Sequence, residues 1–414
     1  MKRMSAIFVA LFFLLSEKLA GQNTDLLLHS AFGQYRAMAG AGSALASDHA
    51  ALAMNPAGLA HARGASFALA ANASSYSFSL LRRNSNGTAF DLNWSEPSTA
   101  VDYASIHLAT GKRWGFAAGY LRKLDPFVDN NRRAITGSVL FHQSTSGGVY
   151  ALALAAGYKL NARFSLGATL HHNTGTITSK IDGDNHGRDA DKHAQLESTL
   201  AGFSLQTGLM YATQKIRAAA RMAIPAKLNV KTRSEITADN SYAIYLPPYA
   251  QIDFELPLVL GLGVAYIFSE RLTAALDFET QRFRSSPVQF NLYEFGGKPN
   301  WKDANLLRVG FEVLPFKTAN VPVRFGYARL PQLYASNNSR GEQNSILSYS
   351  DTEQNVQHLF AAGTTLRLQR FALSLGLEYG YLKWHRDLQT TTTVRDDYRE
   401  IKLALISEVV WHWQ

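Results

Sequence analysis

The sequence predicts an all-β protein: a transmembrane antiparallel β-barrel of about 14 strands with an N-terminal hatch plugging the lumen. Three observations carry this. Beyond the first twenty or so residues no apolar run is long enough for a spanning helix, so any passage through a membrane is by strands. Residues 65–414 consist of runs that alternate residue classes at period two, separated by turn-rich gaps. Those gaps alternate short and long, as periplasmic turns and outer loops do in bacterial barrels.

Taken in order, residues 1–21 read as a secretory signal peptide. Lys2 and Arg3 form the basic end, Ser5 to Leu15 the apolar stretch, and Leu19-Ala20-Gly21 the cleavage region. The formal charge of +9 falls to +7 once Lys2, Arg3, Lys18 and Glu17 of this leader are set aside. That excess is mild, and Arg82-Arg83 and Arg132-Arg133 are isolated pairs, so nucleic acid is not an expected partner. An excess of this size suits anionic lipid head groups and ordinary solvated surface equally. The absence of cysteine excludes thiol chemistry, disulfides and Cys-based metal sites.

Residues 22–64 form the expected hatch. Gly33 to Ala60 is built almost wholly from Ala, Gly, Ser, Leu and Met, which lets backbones approach closely in a confined space. An Ala-rich helix is expected from Ser43 to Met54, stopped by Asn55-Pro56. Gly40-Ala41-Gly42 has the start of a dinucleotide fingerprint, but Leu45 stands where the third glycine belongs and no strand precedes it.

Arg36-Ala37-Met38-Ala39-Gly40-Ala41-Gly42, Ala46-Ser47-Asp48 and Asn55-Pro56-Ala57-Gly58-Leu59-Ala60 together resemble the N-terminal hatch of the FadL-type outer-membrane transporters of long-chain fatty acids and other hydrophobic compounds. The resemblance implies a 14-stranded barrel in the outer membrane, reached after signal-peptide cleavage. It implies passive uptake of hydrophobic small molecules such as long-chain fatty acids or alkyl-aromatic compounds, with Asn55, Pro56 and Ala57 as a gating hatch. Outer-membrane lipid, lipopolysaccharide and envelope proteins are the surrounding partners. Barrels resembling FadL also serve as docking components of protein secretion systems, of the PorV type, and this is the alternative reading.

Strand runs are expected near 65–82, 98–109, 113–123, 148–159, 163–178, 195–212, 215–238, 256–268, 271–284, 304–314, 320–330, 355–368, 371–385 and 398–413. The even count requires Ile224-Pro225-Ala226 to be a kink within one strand, which leaves both chain ends on the periplasmic side. Long polar connections are expected at about 84–97, 125–147, 179–194, 239–255, 285–303, 331–354 and 386–397. The last run puts Ile401, Leu403, Leu405, Val409, Trp411 and Trp413 on one face and Lys402, Glu408 and His412 on the other, as a lipid-facing closing strand requires.

Charges at Asp277, Glu279, Arg308, Glu312 and Arg324 should turn inward, since Arg or Lys on the lipid face at mid-membrane costs roughly 2–4 kcal/mol. A paired network joining wall to plug is preferred there to a catalytic one. In Val149–Tyr158 and Leu258–Phe268 neither face is charged; contact with the plug is preferred to a solute path, although both readings remain. Tyr242, Tyr245, Leu246 and Tyr249 offer apolar surface for ligand capture at the outer mouth, or an aromatic girdle.

No enzyme, cofactor or metal is expected. Asp182-Gly183-Asp184-Asn185-His186-Gly187 begins like a calcium loop, but His186 and His193 occupy positions where Asp or Asn and Glu belong. A solvated outer loop accounts for it better. His142 and His171-His172 lack a nucleophile-elbow pattern and read as polar strand ends near the head-group boundary.

Overall fold

In the computed structural model the described residues are 27–28, 32–84, 89–124, 128–130, 140–184, 192–237, 254–286, 301–316, 321–335, 337–340, 354–389 and 393–413. Nineteen strand segments run through them: β1 (Ala65–Asn84), β2 (Ala89–Thr110), β3 (Trp114–Leu124), β4 (Val128–Asn130), β5 (Leu140–Gly147), β6 (Val149–Lys159), β7 (Phe164–Asp184), β8 (Lys192–Ala212), β9 (Ile216–Ala223), β10 (Ala226–Thr237), β11 (Phe254–Leu256), β12 (Val259–Ser269), β13 (Leu272–Gln281), β14 (Ala304–Val313), β15 (Val323–Ala335), β16 (Asn337–Arg340), β17 (Gln354–Leu368), β18 (Phe371–Gln389) and β19 (Thr393–Trp413). Several are pieces of one stave, as β9 and β10 are on either side of Ile224-Pro225. The wall is a closed antiparallel barrel of 14 strands. Closure is made by β1, which pairs with β2 on one side and with β19 on the other, Ala65 standing opposite Trp413.

Period-two alternation decides which way each side chain points. In β12 Gly261, Gly263 and Ala265 face in, while Leu262, Val264 and Tyr266 face the membrane. In β19 Lys402, Glu408 and Val410 face in, and Leu403, Leu405, Val409 and Trp411 face out, as the sequence indicates. Near the short turns the outward positions become aromatic. Trp411 and Trp413 lie 5.1 Å apart, Trp114 stacks on Phe116 at 5.8 Å, and Phe164 meets Tyr211 at 5.0 Å, forming the girdle expected at a membrane interface.

Several expected loops prove to be strand. β2 starts at Ala89 and pairs with β1 back to Arg83, so most of the loop expected at 84–97 is hairpin. The same holds for β7 and β8, where Asp182 stands opposite His193, and for β18 and β19, paired as far as Gln389 and Thr393. Polar composition at 84–97, 179–194 and 386–397 reflects strands that continue past the membrane, where neither face needs apolar side chains. The leader at 1–21 lies outside the described residues, as do Tyr242, Tyr245, Leu246, Tyr249 and Asn185 to Asp191.

Candidate functional site: the hatch and its seats in the wall

The hatch departs from the helix expected over Ser43 to Met54. Only Ala51–Met54 is α-helical, between 3-10 turns at Gly33–Met38 and Pro56–His61. The N–H groups of Gly42 and Ser43 are taken by the Asp277 carboxylate of the wall, at 2.9 and 2.8 Å, and the Ala50 N–H by Asp48 at 2.9 Å. Leu45 and Ala46 both donate to the Gly42 carbonyl, so one turn closes there and a separate one begins at Asp48, whose carbonyl accepts from Ala51.

Asn55 and Pro56 form the tightest joint between hatch and wall. The Ala57 N–H donates to Asn55 Oδ1 at 3.1 Å, which caps the following turn, and Pro56 occupies its first position, where no N–H is needed. Asn55 Nδ2 donates to the Leu209 carbonyl of β8 at 3.1 Å. Asn55 and Ala57 are fully buried.

Beneath this joint lies a row of glycines that no local sequence signal announces. Gly115 of β3 stands opposite Gly157 of β6, Gly157 opposite Gly167 of β7, and Gly167 opposite Gly208 of β8. A Cβ at Gly157 would fall 2.6 Å from the Ala60 nitrogen and 2.7 Å from the Pro56 carbonyl oxygen. At Gly167 it would strike the Pro56–Ala57 peptide, at Gly208 the Asn55 amide, and at Gly115 the Leu59 carbonyl, all closer than real Cβ atoms come. Hatch backbone therefore lies directly on wall backbone. A second seat, Gly310 opposite Gly326, receives Met38 and Ala39 across the lumen.

Further from the short turns the wall carries charge. Arg36 of the hatch reaches Glu378 of β18 through two hydrogen bonds, Nε to Oε1 at 2.9 Å and Nη2 to Oε2 at 2.5 Å, and its Nη1 reaches Asp102 of β2. Asp102 also accepts from Arg122 at 2.7 Å and from Asn72. Glu408 of β19 accepts from the Gln34 N–H at 3.0 Å and from the Tyr103 hydroxyl, and it pairs with His49 Nε2 at 2.8 Å. Arg324 joins Glu312, Thr365 and the Gln34 side chain. Glu279 pairs with Arg221 and Arg308, and Asp277 holds Gly42 and Ser43. Of the charges expected to join wall to plug, Asp277 reaches Gly42 and Ser43 and Arg324 reaches Gln34, while Glu279 pairs with Arg221 and Arg308 of the wall; Arg36 and His49 of the hatch take other wall partners, Glu378, Asp102 and Glu408.

A β-bulge makes part of it. Between β1 and β2 the register moves from Ala70 opposite Tyr103 to Ala71 opposite Val101, leaving Asp102 as an extra residue. Consecutive residues Asp102 and Tyr103 therefore both face inward and both engage the hatch. For His49, burial works against the charged form, but the Asp48 and Glu408 carboxylates outweigh it and hold the imidazole above its ordinary value. His61 is pulled down to about 4 by burial and by Lys159 and Arg217.

Beyond Asp102 and Glu378 many inward positions are apolar, although β17 and β19 keep Gln357, Glu400 and Lys402 at that level. Leu124, Val149, Ile177, Leu200, Leu228 and Leu256, with Leu306 and Leu330, belong to one cluster that also holds Leu27 from the start of the hatch. Gln281 accepts from the Leu28 N–H at 3.0 Å and donates to its carbonyl at 3.1 Å, fixing that segment beside the wall.

The uncharged inner faces of Val149–Tyr158 and Leu258–Phe268 serve the plug. Ala151, Ala153 and Ala155 are buried, Gly157 seats Pro56, and Gly263 faces Ser43. His171 is also corrected: it is buried and points inward from the interior of β7, not from a strand end. Among the described residues no group of three His, Asp or Glu side chains is placed to hold a metal ion. The residues that sequence reasoning missed are Arg36, His49, Asp102, Tyr103 and the glycine row. Arg36 and His49 carried a local signal, as two of the few chargeable residues in an otherwise apolar segment.

Comparison with solved structures bears out the FadL-type resemblance. A Pseudomonas aeruginosa FadL homologue matches with a TM-score of 0.66 at 11% identity, over 94% of this chain and 100% of that one. The Pseudomonas putida toluene transporter TodX matches with a TM-score of 0.59 at 15% identity, over 93% and 100%. The Ralstonia pickettii toluene transporter TbuX matches with a TM-score of 0.54 at 15% identity, over 92% and 99%. At such identities the likeness is one of fold. No curated protein matches the chain. The family model described as BamG matches residues 27–318.

Proposed function

Because this chain belongs to the BamG family and has a FadL-type barrel, we propose that it is an outer-membrane channel for passive uptake of hydrophobic small molecules. The observation that carries this reading is the order of layers in the lumen. A mostly apolar surface from Leu124 to Leu330, joined by Leu27 of the hatch, lies on the long-loop side of Glu378 and Asp102, interrupted by Gln357, Glu400 and Lys402 of β17 and β19. A water-filled pore would present charge on most of its inner strand faces there. Burying apolar solute surface against this layer contributes about 25 cal/mol per Å².

In this reading long-chain fatty acids or alkyl-aromatic compounds are the substrates, captured in part by Tyr242, Tyr245, Leu246 and Tyr249, and Asn55-Pro56-Ala57 is the gate. No catalytic step is invoked. A host lacking its own importer should take up a long-chain fatty acid or an alkyl-aromatic faster when it makes this protein, and uptake of a small sugar should hardly change. Equal acceleration of both would mean an open pore. Asn55→Ala combined with Pro56→Gly should leave the barrel heat-modifiable on gels while changing passage; loss of assembly alone would make the motif structural.

One feature favours a second reading, docking within envelope protein machinery. The hatch is tied to the wall at Arg36, His49, Gly42, Ser43 and Asn55 together, more than a plug that must yield to small solutes requires. Faster uptake of neither solute by correctly inserted protein would favour it.

A further inference from the structure

On the outer face of the barrel, strands β17, β18, β19, β1 and β2 form a depression of about 730 Å³. Its cause is a change in side-chain size. Phe360, Leu377 and Leu403 stand well out from the wall, while the positions level with them on β1 and β2 are Ala73, Ser75, Pro97 and Thr99. Register places these residues side by side: Phe360 opposite Tyr379, Tyr379 opposite Leu403, and Leu403 opposite Ser75. The lining is predominantly alkyl and aromatic.

Outward positions change character toward the long-loop end of the same strands. The next outward row holds Tyr381, Ile401 and Ser77, with Ser77 hydrogen-bonded to Ser95 at 3.1 Å. One row further, Lys383 stands opposite Arg399, and both are exposed. The next outward row holds His385 and Asp397, and the one after it Arg83 and Arg395, also exposed and mutually paired in register. Arg395 is engaged by Asp397 at 3.0 Å, but among the described residues neither Lys383 nor Arg399 takes part in an ion pair. Arg399 lies four residues along the strand from Leu403, about 13 Å at an extended rise. Cations above an acyl-sized apolar trough, at the level of the outer leaflet's head groups, complement one chemistry.

We propose that this face binds a phosphate-bearing acylated glycolipid of the outer leaflet. Its phosphate sits at Lys383 and Arg399, and one acyl chain lies in the trough between Phe360, Leu403 and Ser75. An ammonium and a guanidinium in neighbouring positions suit a phosphate, which accepts from both. The small residues of β1 and β2 let the chain lie close to the wall, where a bulky pair would fill the trough.

The test uses the full-length protein purified in a neutral detergent and titrated with diphosphoryl lipid A, with the same lipid after phosphate removal, and with inorganic phosphate. Bound lipid per barrel is read by native mass spectrometry. Wild-type protein should retain diphosphoryl lipid A at least tenfold better than the dephosphorylated form, and inorganic phosphate at millimolar concentration should not displace it. Lys383→Ala with Arg399→Ala should abolish the preference for the phosphorylated lipid. Ser75→Trp, which fills the trough and leaves both cations in place, should weaken retention of both lipids. Heat-modifiability of each variant reports whether it folds, and the two variants alter different strands. Equal retention of both lipids by wild type, an unchanged preference in the double variant, or full displacement by phosphate would each overturn the proposal.

Discussion

The hatch is held in two different ways on two sides of the lumen. Toward β3, β6, β7 and β8 it is held by shape: hatch backbone from Pro56 to Ala60 lies on Gly115, Gly157 and Gly167, and the Asn55 side chain lies on Gly208. Toward β18, β19 and β2 it is held by charge: Arg36 on Glu378 and Asp102, and His49 on Glu408. Shape complementarity responds little to pH or salt. A paired charge responds to both, and its removal leaves a partner stranded in a dry place. The first side is therefore expected to act as a hinge and the second as a latch when the hatch is loosened.

The largest expected effect is on the latch. Arg36→Ala leaves Glu378 without its hatch cation and deprives Asp102 of one of its two, and breaking a buried pair costs about 3–5 kcal/mol. Limited proteolysis of the hatch and conductance in planar bilayers should both rise, while the barrel itself stays heat-modifiable. Partial rescue by Arg36→Ala with Glu378→Gln would tie the effect to stranded charge; unchanged proteolysis would deny the latch.

On the hinge side the expected cost is smaller. Gly167→Ala forces a methyl into the Pro56–Ala57 peptide and Gly208→Ala one into the Asn55 side-chain amide, an overpacking worth about 1–3 kcal/mol. Gly376→Ala is the matched control, because its Cβ would find its nearest neighbour at an ordinary 3.5 Å. A melting temperature lowered in the first two and unchanged in the third supports the hinge. Equal shifts in all three would reduce it to a general intolerance of side chains in the wall.

The smallest effect is that of pH. His49 has a raised pKa in the folded state, so its pairing stabilises the latch fully below the ordinary histidine value of about 6.5 and is lost as pH rises through the raised value. Hatch proteolysis should increase over that range, and His49→Gln should flatten the profile. A profile of the same steepness in the variant would assign the change to another group.

Much of this was legible before any coordinates. Strand faces such as that of Leu403, Leu405 and Trp411 follow from period two, and the inward charges follow from the cost of turning them to lipid. The hatch declared itself through its small residues and Asn55-Pro56-Ala57. The seats did not, because Gly115, Gly157, Gly167 and Gly208 become a row only when four registers are known at once. The expected helix at Ser43 is reduced to Ala51–Met54, and the carboxylate that holds Gly42 and Ser43 to the wall, Asp277, comes from far along the chain. Asp182 and His193 were misread as loop because polar strand beyond the membrane has the composition of a loop.

The extra residue in β2 has a consequence for insertions and deletions. Below it Ala104, Ile106 and Leu108 face the membrane, and above it Val101, Thr99 and Pro97 do, so the strand changes parity at Asp102. Loss of one codon elsewhere in such a strand would turn its remaining inner face to the lipid. Loss of Asp102 itself removes the bulge and keeps both faces. The barrel would close as before, and Arg36 would lose one of its two carboxylates. A length variant of β2 lacking that residue is therefore expected to have a sound wall and a looser hatch.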